Sequence, residues 1–193
     1  MPYRGVVNGS VQAGYFDHPI VGFPGQIASI IDPHVVDGYI VEDTNGIAAG
    51  LAAQRNNVVT IATDTYGEIT SPWTIKTPVA TEITAGNIAT MFEGVVVRDH
   101  SMSNDVDGDP MYEDDRIAPI LRVGRIYLVS QAATTAGTGV FLVVKDATSH
   151  GFPIGSFTSS DPGSSDAIAI PNAEWRSPAA AGGIAVAEFK LRT

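Results

Sequence analysis

The sequence has no cysteine among its 193 residues. Disulfides, thiolate metal sites and cysteine nucleophiles are excluded together, and the composition suits a reducing compartment. Positive charge is scarce: 11 Lys and Arg stand against 21 Asp and Glu, a formal net charge of −10. A nucleic-acid backbone or an anionic leaflet repels such a surface unless a basic patch exists, and no basic cluster appears along the chain. Long apolar runs are missing too. The most apolar late stretch, Ala179 to Ala187, is about half of the roughly 20 residues that a membrane helix needs, and Gly182-Gly183 interrupts it. The opening Met1-Pro2-Tyr3-Arg4-Gly5 lacks the apolar run of a signal peptide. The expectation is a soluble protein kept inside the cell until assembly, with no nucleic-acid and no membrane partner.

A helical period is also lacking. Short runs rich in Val, Ile, Thr and aromatics recur instead, punctuated by Gly, Pro, Asn and Asp, which is the pattern of strands and turns. Strands are expected near residues 26–31, 35–42, 47–53, 58–63, 73–77, 92–98, 117–121, 125–130, 140–145, 154–157, 167–170 and 184–191. The last alternates cleanly: Ala185, Ala187, Phe189 and Leu191 point one way, while Glu188, Lys190 and Arg192 point the other. Residues 92–98 and 140–145 are apolar on both faces until their ends, as central strands are. Thr44-Asn45-Gly46 reads as a hairpin turn. About a dozen short strands predict an all-β fold, a β-sandwich, jelly roll or barrel in which closing or doubling the sheet protects its edges. Residues 1–25 differ. Pro2, Gly5, Gly9, Gly14, Pro19, Gly22, Pro24 and Gly25 break regular structure, yet Tyr3, Tyr15, Phe16, Ile20 and Phe23 offer something to bury. They are read as an extended arm preceding a single β domain of residues 26–193.

Chemistry is sparse. Asp105, Asp107, Asp109, Glu113, Asp114 and Asp115 crowd six carboxylates into eleven residues, and the first three have the spacing that opens an EF-hand loop. The sixth position should then be Gly and the twelfth Glu; they are Pro110 and Arg116, so the match fails. Asp105, Asp107 and Asp109 remain the one weak candidate for a looser calcium loop, a solvated acidic turn being the commoner meaning, and no metal or cofactor is expected. His18, His34, His100 and His150 are scattered, with no closely spaced pair. No Gly-x-Ser-x-Gly, Walker or Gly-x-Gly-x-x-Gly motif occurs, and Gly137-Thr138-Gly139 lies between strands with no helix to follow. Glu82 with Glu93, or Asp17 with Asp32, could meet in space, but their spacing favours no acid–base role. Catalysis is not expected. Trp73 and Trp175 could serve as sugar-stacking platforms, although tryptophan on a β scaffold is more often packing.

Several phrases recur in a shared order: Pro24-Gly25-Gln26-Ile27-Ala28-Ser29-Ile30 after the Gly/Pro-rich arm, Ile47-Ala48-Ala49-Gly50-Leu51-Ala52, and Phe92-Glu93-Gly94-Val95-Val96-Val97-Arg98. Pro119-Ile120-Leu121-Arg122-Val123-Gly124-Arg125-Ile126-Tyr127-Leu128 follows, then Ile170-Pro171-Asn172-Ala173-Glu174-Trp175 and Ala180-Ala181-Gly182-Gly183-Ile184-Ala185-Val186-Ala187-Glu188-Phe189. Read together they resemble the structural cement (capsid decoration) family of tailed phages. The resemblance implies a non-enzymatic β protein on the outer face of the virion's head. Such a protein bridges adjacent major capsid proteins, usually as a homodimer with a trimer the other choice, and braces the shell against packaged DNA. Tyr3, Tyr15, Phe16 and Phe23 are then the expected capsid-binding side chains, since aromatics dominate interface hot spots. The acidic stretch 104–115 and Asp161-Pro162-Gly163-Ser164-Ser165 depart from the family's phrases. A receptor- or carbohydrate-binding β module of a phage tail or cell surface is the alternative reading.

Overall fold

A computed structural model describes residues 22–28, 34–56, 74–99, 102–104, 110–145, 151–163 and 166–191. Among the described residues the regular structure is almost all β: β1 (Val35–Val41), β2 (Ile47–Ala48), β3 (Ala52–Arg55), β4 (Thr74–Lys76), β5 (Phe92–Val96), β6 (Ser103–Asn104), β7 (Pro110–Tyr112), β8 (Ile117–Val129), β9 (Gly139–Val143), β10 (Phe157–Thr158), β11 (Ala167–Trp175) and β12 (Ile184–Lys190). Among the described residues one short helix, α1 (Ile88–Met91), precedes β5.

Nine strands form one sheet in the order β1-β4-β3-β5-β8-β12-β11-β9-β10, and β1 also pairs with β8. That second pairing closes β1, β4, β3, β5 and the first half of β8 into a ring. The second half of β8 continues into β12, β11, β9 and β10, and a parallel bridge from Ser130 to Phe157 brings the far edge back. Two five-strand rings thus share β8. A three-stranded sheet, β2-β7-β6, is attached beside the first ring. The all-β, barrel-like expectation stands.

The wall between the rings explains its own sequence. Along β3, β5 and the first half of β8, successive side chains enter different cores: Ala52, Val95 and Leu121 one, Ala53, Val96 and Ile120 the other. Strand residues alternate faces, so a wall buried on both sides is apolar except where a polar side chain such as Glu93 or Gln54 finds partners. Gly94 sits at a bulge in this wall with φ 151, and a β-carbon there would stand 2.4 Å from the Leu121 carbonyl oxygen. Only glycine allows that approach.

Several strand expectations are corrected. Residues 47–53 are not one strand, because Gly50 takes φ 79 and splits them into β2 and β3. Residues 117–121 and 125–130 are not two strands but the continuous β8, since β1 and β12 both pair at Val123. Ile154 and Gly155 form a turn before the two-residue β10. Thr44-Asn45-Gly46 does turn, with the Gly46 N–H donating to the Asp43 carbonyl at 2.7 Å, but it joins no hairpin. It carries the chain from β1 into the separate sheet of β2. The strand expected at 58–63 lies outside the described residues.

Candidate functional site

The described part of the aromatic arm is residues 22–25; with residues 26–28, where the β domain begins, it is tied to the fold from both sides. The Gly25 N–H donates to the Tyr127 carbonyl at 2.9 Å, and the Arg98 N–H donates to the Gly25 carbonyl at 2.9 Å. Farther on, Ile27 bridges Ile126 and the Ala28 N–H donates to the Arg125 carbonyl. Phe23-Pro24-Gly25-Gln26 is a tight turn closed by Gln26 N–H to the Phe23 carbonyl at 2.9 Å, with φ 79 at Gly25. Proline second and glycine third is the chemistry of a type II turn. The Gln26 side chain then accepts the Phe23 N–H at 3.1 Å. A doubly fastened backbone therefore holds out a phenyl ring that is 64% exposed. The Arg98 guanidinium lies 4.9 Å from the ring centroid, a cation–π distance. Tyr3, Tyr15 and Phe16 lie outside the described residues, as do Asp105, Asp107 and Asp109 of the acidic loop.

The remaining candidates resolve into structural roles. Trp175 is fully buried in the larger core and its indole N–H donates to the Thr158 carbonyl at 3.4 Å. It is no sugar platform; Trp73 lies outside the described residues. Glu82 and Glu93 serve different partners: Glu82 accepts from Gln54 and Lys76, while Glu93 joins a cluster inside the first ring. There the Tyr39 hydroxyl donates to Glu93 at 2.7 Å and Arg55 Nε at 2.8 Å, with Arg122 3.6 Å from the same carboxylate. Glu93 itself is 2% exposed. Burial, and then the Glu93 carboxylate beside it, push the Tyr39 phenol far above its usual range, so it stays a proton donor to Glu93. Sequence spacing could not reveal this cluster, since Tyr39 and Glu93 are 54 residues apart. The signal present was a lone glutamate in an apolar strand. Asp17, Asp32, His18, His100 and His150 lie outside the described residues.

Two clefts among the described residues hold no convergent chemistry. One of about 410 Å³ is lined by Glu42, Asp43, Lys76 and Asp114. Its carboxylates are occupied: Asp43 accepts the amides of Asn45 and Thr77, Asp114 that of Asp43, and Glu42 the Asn56 side chain. Another of about 420 Å³ is lined by Ala80, Ile83, Ala85, Val144 and Ile168, and its Lys145 pairs with Asp166 at 3.5 Å. Among the described residues no group of three His, Asp or Glu is placed to hold a metal ion, and no helix is long and apolar enough to cross a membrane.

Residues 11–190 match the model of the structural cement protein family described as E217 gp24/Pam3 gp6. The chain belongs to the structural cement protein family. Membership places it among structural proteins of the phage capsid, and so in the virion. The fold agrees. A chain from the capsid of Myoviridae phage XM1 superimposes with a TM-score of 0.59 at 18% identity, covering 89% of this chain and 92% of that one. No curated protein matches the sequence.

Proposed function

We propose that this cement family member binds the outer face of the phage head, bridges adjacent major capsid proteins and stabilises the shell against internal DNA pressure. It acts without catalysis, metal or cofactor, and pairs with itself as a homodimer, a trimer being the other symmetric choice. The observation that carries the reading is the family match across residues 11–190. The physics supports it. A clip requires a stiff scaffold, and two rings sharing a strand supply one. It also requires anchors, for which Tyr3, Tyr15, Phe16 and Phe23 of the arm are proposed, Phe23 being presented by the Pro24-Gly25 turn. Many copies on one shell let modest contacts accumulate.

Co-sedimentation with expanded and unexpanded shells of the cognate phage tests this. Saturable binding to expanded shells is expected, at a fixed ratio to the major capsid protein and with a raised shell melting temperature. Deleting residues 1–21 keeps the bonds of Gly25 to Tyr127 and Arg98, so the variant should fold while binding falls. Absence of binding by the whole chain would sink the cement reading; full binding by the deletion variant would remove Tyr3, Tyr15 and Phe16 from it.

A further inference from the structure

Three large apolar side chains among the described residues are markedly exposed: Phe23, Val36 at 36% and Ile117 at 66%. The last two share a face. β1 and β8 run antiparallel with Val36 opposite Leu121, Gly38 opposite Pro119 and Ile40 opposite Ile117. Their neighbours Tyr39, Val41, Ala118 and Ile120 fill the smaller core, so Val36, Gly38, Ile40, Ile117 and Pro119 point away from it. A β-carbon on Gly38 would stand 3.2 Å from the Ile117 side chain, so Ile117 leans over bare backbone and the stripe is flat. An outward sheet face normally alternates to polar residues here; this one does not.

The stripe ends in a strongly acidic rim. Immediately beyond Ile40 come Glu42 and Asp43, and immediately before Ile117 come Glu113, Asp114, Asp115 and Arg116. The two turns lie together, because the Asp43 N–H donates to Asp114 at 3.0 Å and the Asp115 N–H to the Val41 carbonyl at 2.9 Å. Five carboxylates thus stand with Arg116, and with Lys76 across the adjoining cleft, at one end of an apolar strip.

We propose that this outer β1–β8 face is a docking surface for a protein surface of complementary make-up, apolar side chains bordered by lysine and arginine. Resting on the cement reading, its occupant is a major capsid protein on the shell, contacted separately from the arm. The apolar strip supplies buried area, and the acidic rim sets orientation and rejects acidic surfaces, a second copy of this −10 chain among them.

The test uses full-length protein and expanded shells. Ile117→Lys should weaken binding roughly tenfold or more, and Val36→Thr less, both with unchanged circular dichroism and melting temperature because neither side chain fills a core. Glu113→Gln with Asp115→Asn should weaken binding and flatten its decline between about 50 and 500 mM salt. Wild-type affinity in Ile117→Lys and Val36→Thr would overturn this inference while leaving the cement reading intact. So would a change in oligomeric state in those variants, which would make the face a contact between copies. Unaltered salt dependence in the acidic-rim variant would overturn the basic partner. If the wild type binds no shell, both readings fall.

Discussion

The two cores share a wall yet are closed by different means. The larger is apolar throughout: Phe92, Phe157 and Phe189 meet at centroid distances of 5.9–6.4 Å, with Trp175 buried in the same core. The smaller, inside the first ring, packs Tyr39, Val41, Ile47, Ala53, Ile75, Val96, Tyr112, Ala118 and Ile120, and adds the buried charge of Glu93 held by Arg55, Tyr39 and Arg122. Apolar burial is non-directional, whereas a buried carboxylate is tolerated only with its donors in place. The larger core can therefore obtain its stability from volume, while the smaller ring fixes the register of β1, β3, β5 and β8 through one side chain that touches residues of the other three. Sharing one wall does not impose one chemistry.

The contrast can be broken at either side. Trp175→Ala should be the costliest change, about 4 kcal/mol, because it empties the largest fully buried side chain among the described residues and leaves the Thr158 carbonyl without its indole donor. Chemical denaturation measures it, and a loss under about 1 kcal/mol would mean the core collapses to fill the space. Glu93→Ala should cost about 3 kcal/mol by leaving Arg55 and Tyr39 without their acceptor. A Glu93→Leu variant sharpens the point, since stability near wild type would show the cluster to be replaceable by apolar packing. Tyr39→Phe should cost about 2 kcal/mol near neutral pH, the worth of a hydrogen bond to a charged group. Its pH dependence has a definite sign. The phenol holds its proton more tightly in the folded state, so its contribution is complete below the unfolded value of about 10 and is lost as pH rises above it. The gap between wild type and Tyr39→Phe should accordingly shrink in strong alkali; a constant gap would show that the shift is absent.

How much of this was legible depends on how local the signal is. The period-2 alternation of Ala185, Ala187 and Phe189 predicted a one-faced strand, and all three are buried in β12. Continuous apolarity at residues 92–97 predicted a strand covered on both faces, and β5 is buried at every position. Breaks were harder. Arg122-Val123-Gly124 looked like an interruption, but Gly124 keeps φ 131 within β8, where His34 lies too close for a β-carbon. β11 runs past its expected end at Ile170 through Pro171 and Asn172, which has φ 57, because β9 pairs on both sides of a bulge and β12 joins beyond it. Closure of the rings and the Glu93 cluster depend on contacts between distant segments, which no window of sequence contains. The outward stripe was illegible for the opposite reason: its valines and isoleucines look like any other strand's, and only the pairing of Val36, Gly38 and Ile40 with β8 shows that they face out.

Strand β8 has a mechanical consequence. Its 13 residues extend over roughly 40 Å and belong to both rings. Most two-part proteins join their halves by a linker and an interface, which can hinge or peel. Here tension applied between the rings runs along covalent backbone, flanked on either side by hydrogen bonds that must shear together rather than unzip one at a time. Among the described residues no linker joins the two rings, so an outward pull between them is carried along β8 itself.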